Sequence, residues 1–330
     1  MLSYFKTIEG RIRPVPAWEP GCWINCVAPS EDEIGGLIRD FSIEPDFFRA
    51  AMDEEESSHI DSEDSSTLII IDIPVVERED QEITYATTPL GIILTEKNVI
   101  TVSTRESPIL DEFAEGIVRG VQTNLKTHFI LHLMLRIASR YLQYLKQIDR
   151  TTSMIEKELR HSMKNSELLQ LMDMEKSLVY FSSSLKSNEL TLEKIMRGRV
   201  VKLYEEDQDL LEDVLIEIKQ AVDMSGIYLD ILSSTMESFA SLISNNLNMV
   251  MKVLASITLI ISIPTVISGY YGMNVDGIPA PQFWFPIAVS VLVIALAAFI
   301  LRKKTMLKFI QLHAARSSGR RFFLCEGVFL

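Results

Sequence analysis

Two stretches near the C-terminal end of this 330-residue chain constrain its fold more than any other feature. Val253–Tyr271 carries no charged residue in 19 positions, and Phe283–Leu301 carries none in 19. At a rise of about 1.5 Å per residue, about 20 apolar residues cross a hydrocarbon core of about 30 Å. Two such stretches side by side, the second closing on Arg302-Lys303-Lys304, read as a pair of membrane spans rather than two buried core helices. Lys252 precedes the first span, and the connecting loop Gly272–Gln282 has no Lys or Arg and one acid. The positive-inside rule then puts both long ends in the cytoplasm and the short loop outside. The start, Met1-Leu2-Ser3-Tyr4, shows neither an apolar core nor a cleavage site, so the region before the first span is expected to be cytoplasmic. The expected location is the cell (inner) membrane, multi-pass.

Charge follows the same division. Met251–Leu330 holds eight Lys/Arg and two acids, whereas 1–250 carries a net charge of −19 against −13 for the whole chain. That acidic body argues against nucleic acid as a partner. Three Cys cannot staple a chain this long. The sequence contains no phosphate-binding Gly-rich loop with Lys, no dinucleotide turn and no triad-like grouping, so no enzyme is expected.

The region before the spans reads as an α/β domain followed by long helices. Trp23–Val27 predicts a strand, and Ser30-Glu31-Asp32-Glu33 is a capping box opening a helix to about Phe41. Pro45 starts a second helix running into Asp53-Glu54-Glu55-Glu56. Thr67–Pro74 predicts a buried strand, Ile83–Thr87, Leu90–Thr95 and Val99–Thr104 follow at hairpin spacing, and Pro108 opens another helix. From Asn124 to Ile263 there is no proline, and glycine occurs only at 198 and 226. Apolar residues recur there at steps of three and four, which predicts helices over about 125–163, 166–197 and 206–270. The third runs without a break signal into the first span, a rod of roughly 60 residues and about 90 Å. The expected divisions are a cytoplasmic α/β domain (1–123), long antiparallel helices (124–205), a stalk helix continuing into the first span (206–271), an extracytoplasmic loop (272–282), the second span (283–301) and a basic cytoplasmic tail (302–330).

Inside the first span, Thr258, Ser262, Thr265 and Gly269 fall at i, i+4, i+7 and i+11, on one helix face. Leu254, Met251 and Asn248 continue that face backwards. Such a stripe either packs helix on helix or lines a pore built from several copies. The second span is apolar all round apart from Ser290, as a lipid-facing helix would be. One polar-faced span per chain cannot enclose a path alone, so oligomerisation is implied.

The first span ends in Ser268-Gly269-Tyr270-Tyr271-Gly272-Met273-Asn274. Tyr-Gly-Met-Asn between two C-terminal spans resembles the signature of the CorA-type divalent-cation channel family. Asn248-Met249-Val250-Met251-Lys252-Val253-Leu254 and the basic cluster after the second span resemble it too. The resemblance covers nearly the whole chain and implies a funnel-shaped homopentamer in the lipid bilayer. It implies Gly272, Met273 and Asn274 at the outer mouth, with Asn274 carboxamides ringing it and Asp276 concentrating cations. Neutral oxygens suit Mg2+, which surrenders its water reluctantly. Asn248, Thr258 and Thr265 would supply oxygens along the pore, and Met251 and Leu254 apolar rings able to gate by dewetting. A methionine is common in relatives about where Ser262 stands, so the pore is expected to be more polar there.

The resemblance further implies regulatory Mg2+ bridging cytoplasmic carboxylates of neighbouring subunits. Asp213 and Asp223 are the candidate sensors, with Asp53 and Glu54 as candidate partners. The implied function is entry of Mg2+, and of Co2+ and Ni2+, down the electrochemical gradient, gated by intracellular Mg2+. The Gly277-Ile278-Pro279 that follows Gly-Met-Asn-Val leaves a zinc transporter of the same family as an alternative. An alternative of another class is a membrane-anchored sensor or scaffold. His128 and His132, at i, i+4, are read as packing or surface histidines, and Cys22 and Cys26 as small buried residues. The tail Thr305–Leu330, with Arg316, Arg320, Arg321 and Phe322-Phe323, reads either as an amphipathic segment on the inner leaflet or as a disordered extension.

Overall fold

A computed structural model describes residues 1–63, 66–79, 82–162, 165–197, 204–273 and 282–303. The chain divides into two compact units, Met1–Met236 and Glu237–Leu330.

The first unit is built on a seven-stranded sheet: β1 (Leu2–Ile8), β2 (Arg11–Val15), β3 (Trp23–Val27), β4 (His59–Glu63), β5 (Ser66–Glu79), β6 (Glu82–Leu94) and β7 (Val99–Ser103). The order is β2-β1-β3-β7-β6-β5-β4. Only the central β3–β7 pair is parallel. Between those two strands the chain passes through α1 (Glu31–Phe41), α2 (Pro45–Ala51) and the β4–β6 meander.

Side chains alternate across β3. Cys22, Ile24 and Cys26 face α1 and α2 and join Leu37, Phe47, Phe48, Ile70, Ile93 and Val102 in one buried cluster. Trp23 points the other way. Its ring meets Phe113 of α3 (Pro108–Ala114) at 6.4 Å and Phe129 at 5.3 Å, and its indole N–H donates to Thr101 Oγ1 at 2.8 Å. Helices α4 (Lys126–Ser162) and α5 (Asn165–Met196) cover that second face, giving a helix–sheet–helix sandwich. The predicted capping box is formed: Ser30 Oγ accepts from the Glu33 N–H at 3.3 Å, and Glu33 Oε2 from the Ser30 N–H at 2.9 Å.

Helix α6 runs from Gln208 to Tyr271. In the first unit its residues Leu211, Val214, Ile218, Ala221, Ser225 and Leu232 are buried, at spacings of three, four, three, four and seven. Ile218 closes on Met134, Ile137 and Tyr141 of α4 and on Leu185 and Asn188 of α5 around a gap of about 10 Å³. The three long helices lie within two residues of their expected bounds.

One strand expectation needs correction. Ile83–Thr87 and Leu90–Thr95 are not two strands but the single strand β6, which runs straight through Pro89. A proline inside a sheet normally breaks the ladder. Here β6 pairs with β7 only from Gly91 onward, so the missing N–H of Pro89 forfeits no bond on that side. On the other side Pro89 lies opposite Asp72, whose backbone N–H and C=O are both bonded to the Asn188 carboxamide. The strands β1, β2 and β4 were not individually expected.

The second unit holds α6 from Glu237 onward and α7 (Trp284–Lys303). These helices are long and apolar enough to cross a membrane, and few residues of their apolar stretches are buried in the single chain. Contiguous exposure on this scale marks a surface made for lipid or partner protein.

Candidate functional site

The stripe on α6 is present as one face of a helix. Asn248, Met251, Leu254, Thr258, Ser262, Thr265 and Gly269 are all exposed, Met251 by 66% and Leu254 by 62%. The three hydroxyls satisfy their donors locally. Thr258 Oγ1 donates to the Leu254 carbonyl at 2.9 Å, Ser262 Oγ to that of Thr258 at 2.7 Å, and Thr265 Oγ1 to that of Ile261 at 3.2 Å. A hydroxyl whose hydrogen is committed to the i−4 carbonyl turns its lone pairs outward. The stripe therefore presents acceptors, which suits the water shell of a cation. A fourth hydroxyl, Ser256, makes the same bond to Lys252 at 2.7 Å but is buried and lies off the stripe. At Gly269 a Cβ would meet nothing within 4 Å, so the stripe ends in open backbone.

Beyond the helix, Gly272 N–H donates to the Ser268 carbonyl at 2.9 Å and Met273 N–H to that of Tyr270 at 3.4 Å. Tyr271, at the end of α6, meets Phe285 of α7 with ring centroids 6.3 Å apart. Asn274 and Asp276 lie outside the described residues, as does the tail 304–330.

The candidate regulatory carboxylates of the first unit are all exposed: Asp213 and Asp223 on α6, Asp53 and Glu54 after α2. Glu54 already has a cation, since Arg105 Nη2 lies 3.4 Å from its Oε1 and Arg105 Nη1 lies 2.9 Å from Glu77. Asp53 Oδ1 accepts from the Glu55 N–H at 3.0 Å. Among the described residues no three His, Cys, Asp or Glu side chains converge as a metal site.

His128 and His132 pack ring against ring, with centroids 4.4 Å apart. Burial, with His128 adding to it, holds His132 down to about 4, so the His132 ring is neutral at physiological pH. Burial pushes the Cys26 thiol up to about 12, and Cys22 is raised too, so neither behaves as a reactive thiolate.

A model of the family described as CorA-like Mg2+ transporter protein matches residues 18–303. The chain belongs to this CorA-like family. Its members are transporters, and it is not an enzyme. Among curated relatives, the cobalt/magnesium transport protein CorA of Methanocaldococcus jannaschii is 27% identical over 289 residues, covering 85% of this chain and 90% of the relative. The protein of the same description from Thermotoga maritima is 22% identical, covering 86% and 82%. The fold matches the complete structure of the CorA magnesium transporter from Methanocaldococcus jannaschii with a TM-score of 0.77 at 24% identity, covering 92% of this chain and 97% of that one. The CorA-type architecture is thereby assigned: an α/β body, a long helix and two C-terminal apolar helices of a membrane protein.

Two features of this CorA-like chain escaped sequence reasoning. Pro264 sits inside α6, between Ser262 and Thr265 of the stripe. It removes the N–H that would bond the Ile260 carbonyl, on the face opposite the hydroxyls. The proline is plain in the sequence, but its setting within a span hid it, since membrane helices tolerate proline. The pairing of Arg105 with Glu54 and Glu77 joins residues far apart in sequence, and no local pattern announces it.

Proposed function

We propose that the protein is a homopentameric Mg2+ channel of the inner membrane, with both termini cytoplasmic and the loop 272–282 outside. The observation that carries this reading is the exposed acceptor stripe Thr258–Ser262–Thr265 on an otherwise apolar spanning helix, in a chain of the CorA-like family. The relatives described as cobalt/magnesium transport proteins support Mg2+ and Co2+, and Ni2+ is proposed beside them as a further substrate. Five copies of α6 would surround an axis, Asn248, Thr258, Ser262 and Thr265 facing the hydrated ion, Met251 and Leu254 forming apolar constrictions, and Gly269 widening the path. Gly272, Met273 and Asn274 would form the outer mouth, with Asp276 drawing cations to it.

The divisions at 123, 205, 271, 282 and 301 belong to the same proposal: sensor body, helical support, stalk with first span, outer loop, second span and tail. Intracellular Mg2+ would bridge Asp213 and Asp223 of one subunit to carboxylates such as Asp53 and Glu54 of the next and hold the closed state. Losing the ion would leave like charges to repel. Entry would be passive, driven by the membrane potential.

The test is uptake into liposomes holding the purified protein, comparing Mg2+ with Zn2+ and wild type with Asn274→Ala. Mg2+ uptake that falls about tenfold or more in Asn274→Ala supports the reading. No flux of any divalent ion would overturn it in favour of a membrane-anchored sensor, and flux of Zn2+ alone would reassign the substrate.

A further inference from the structure

A cleft of about 340 Å³ opens on the cytoplasmic unit between α1, β1 and the loop before β3, far along the chain from the stripe. Leu2 and Tyr4 of β1, Trp18, and Glu33, Gly36, Leu37, Asp40 and Phe41 of α1 line it. Its walls combine three aromatic rings with two carboxylates. Trp18 is 43% exposed, yet it is fixed at both ends. Its ring stands edge-on to Phe41 with centroids 5.6 Å apart, and its indole N–H donates to Asn98 Oδ1 at 3.1 Å. Asn98 is itself fully buried and donates to the carbonyls of Cys22 at 2.9 Å and Glu19 at 3.2 Å. An aromatic ring held rigid while half in water is a preformed wall.

The carboxylates sit two turns apart on one face of α1. Glu33 serves the capping box and also receives the Met1 amine at 3.3 Å, so this wall already accepts an ammonium group. Asp40, at the other end, makes no ion pair or hydrogen bond among the described residues. Between them Gly36 leaves the floor open, for a Cβ there would meet nothing within 4 Å.

We propose that this cleft binds an organic cation, an alkylammonium or guanidinium group seated between the Trp18 and Tyr4 rings and paired with Asp40. Aromatic faces and a carboxylate together attract a weakly hydrated organic cation, whereas a compact, strongly hydrated ion gains nothing from the rings. The group can be that of a free amine or that of an arginine side chain.

The test is titration calorimetry on the full chain in detergent at fixed ionic strength, with agmatine as the free amine and a blocked single-arginine peptide as the side-chain probe. Saturable binding is expected that weakens about tenfold in Asp40→Asn. It is expected to vanish in Gly36→Leu, which fills the cleft from an open helical position, with melting temperature unchanged. Tighter binding of agmatine points to a free ligand and tighter binding of the peptide to a protein partner, and either supports the site. Binding that both variants leave intact, absence of saturation, or equal displacement by Mg2+ at matched ionic strength would overturn it.

Discussion

Asn188 of α5 stands in for a missing β-strand beside Asp72 of β5. Its carboxamide oxygen accepts from the Asp72 N–H at 2.9 Å, and its nitrogen donates to the Asp72 carbonyl at 2.8 Å. β4 pairs with β5 only as far as Ile70, and Asn188 takes over where that ladder stops. The Tyr141 hydroxyl donates to the same carbonyl at 3.1 Å, so α4 and α5 are both pinned to one point of the sheet.

Asn188→Leu therefore removes two buried hydrogen bonds and strands the Asp72 N–H. The expected loss is about 2 kcal/mol or more. It would show as a lower denaturation midpoint of the full chain in detergent. An unchanged midpoint would mean that water replaces the carboxamide.

Gly91 of β6 leaves room for Ala51 of α2 to press on the sheet. A Cβ there would lie 2.4 Å from the Ala51 Cβ and 3.3 Å from its Cα. Gly91→Ala should cost about 1–3 kcal/mol by overpacking. Adding Ala51→Gly should recover part of that, less about 1 kcal/mol for glycine within a helix. Melting of the two single variants and the double variant checks the coupling.

Burial of His132 makes the first unit acid-sensitive. His132 is held from 6.5 to about 4 by burial and by His128, so the unfolded chain binds a proton that the folded chain refuses. Stability contributed by this group is present above about 6.5 and is lost as pH falls toward about 4. Replacing the titratable ring with His132→Phe should flatten the decline in melting temperature across that window. A decline as steep as that of the wild type would assign the acid sensitivity elsewhere.

Much of this architecture is written in local patterns. The uncharged runs, the proline-free stretch and the Ser30–Glu33 box locate the spans, the long helices and α1 because each signal lies within its own element. Less legible are the strands that carry polar residues. β4 reads His59-Ile60-Asp61-Ser62-Glu63, an edge strand with its acids in water. The β1–β2 hairpin turns at Glu9-Gly10 with φ of 52° and 75° rather than at a stronger Asn-Gly signal. β6 deceived because Pro89 looks like a terminator until its partners are known. The stripe is legible from spacing alone. Asn188 and Trp18 are not, since their partners lie 116 and 80 residues away.

The central claim is that the hydroxyl face of α6 conducts. Mg2+ uptake by liposomes should be compared for wild type, the pair Thr258→Val and Thr265→Val, and Ser256→Ala, which loses the same i−4 bond off the stripe. The account predicts uptake several-fold lower in both threonine variants and near wild type in Ser256→Ala. Equal uptake by all four proteins would contradict it.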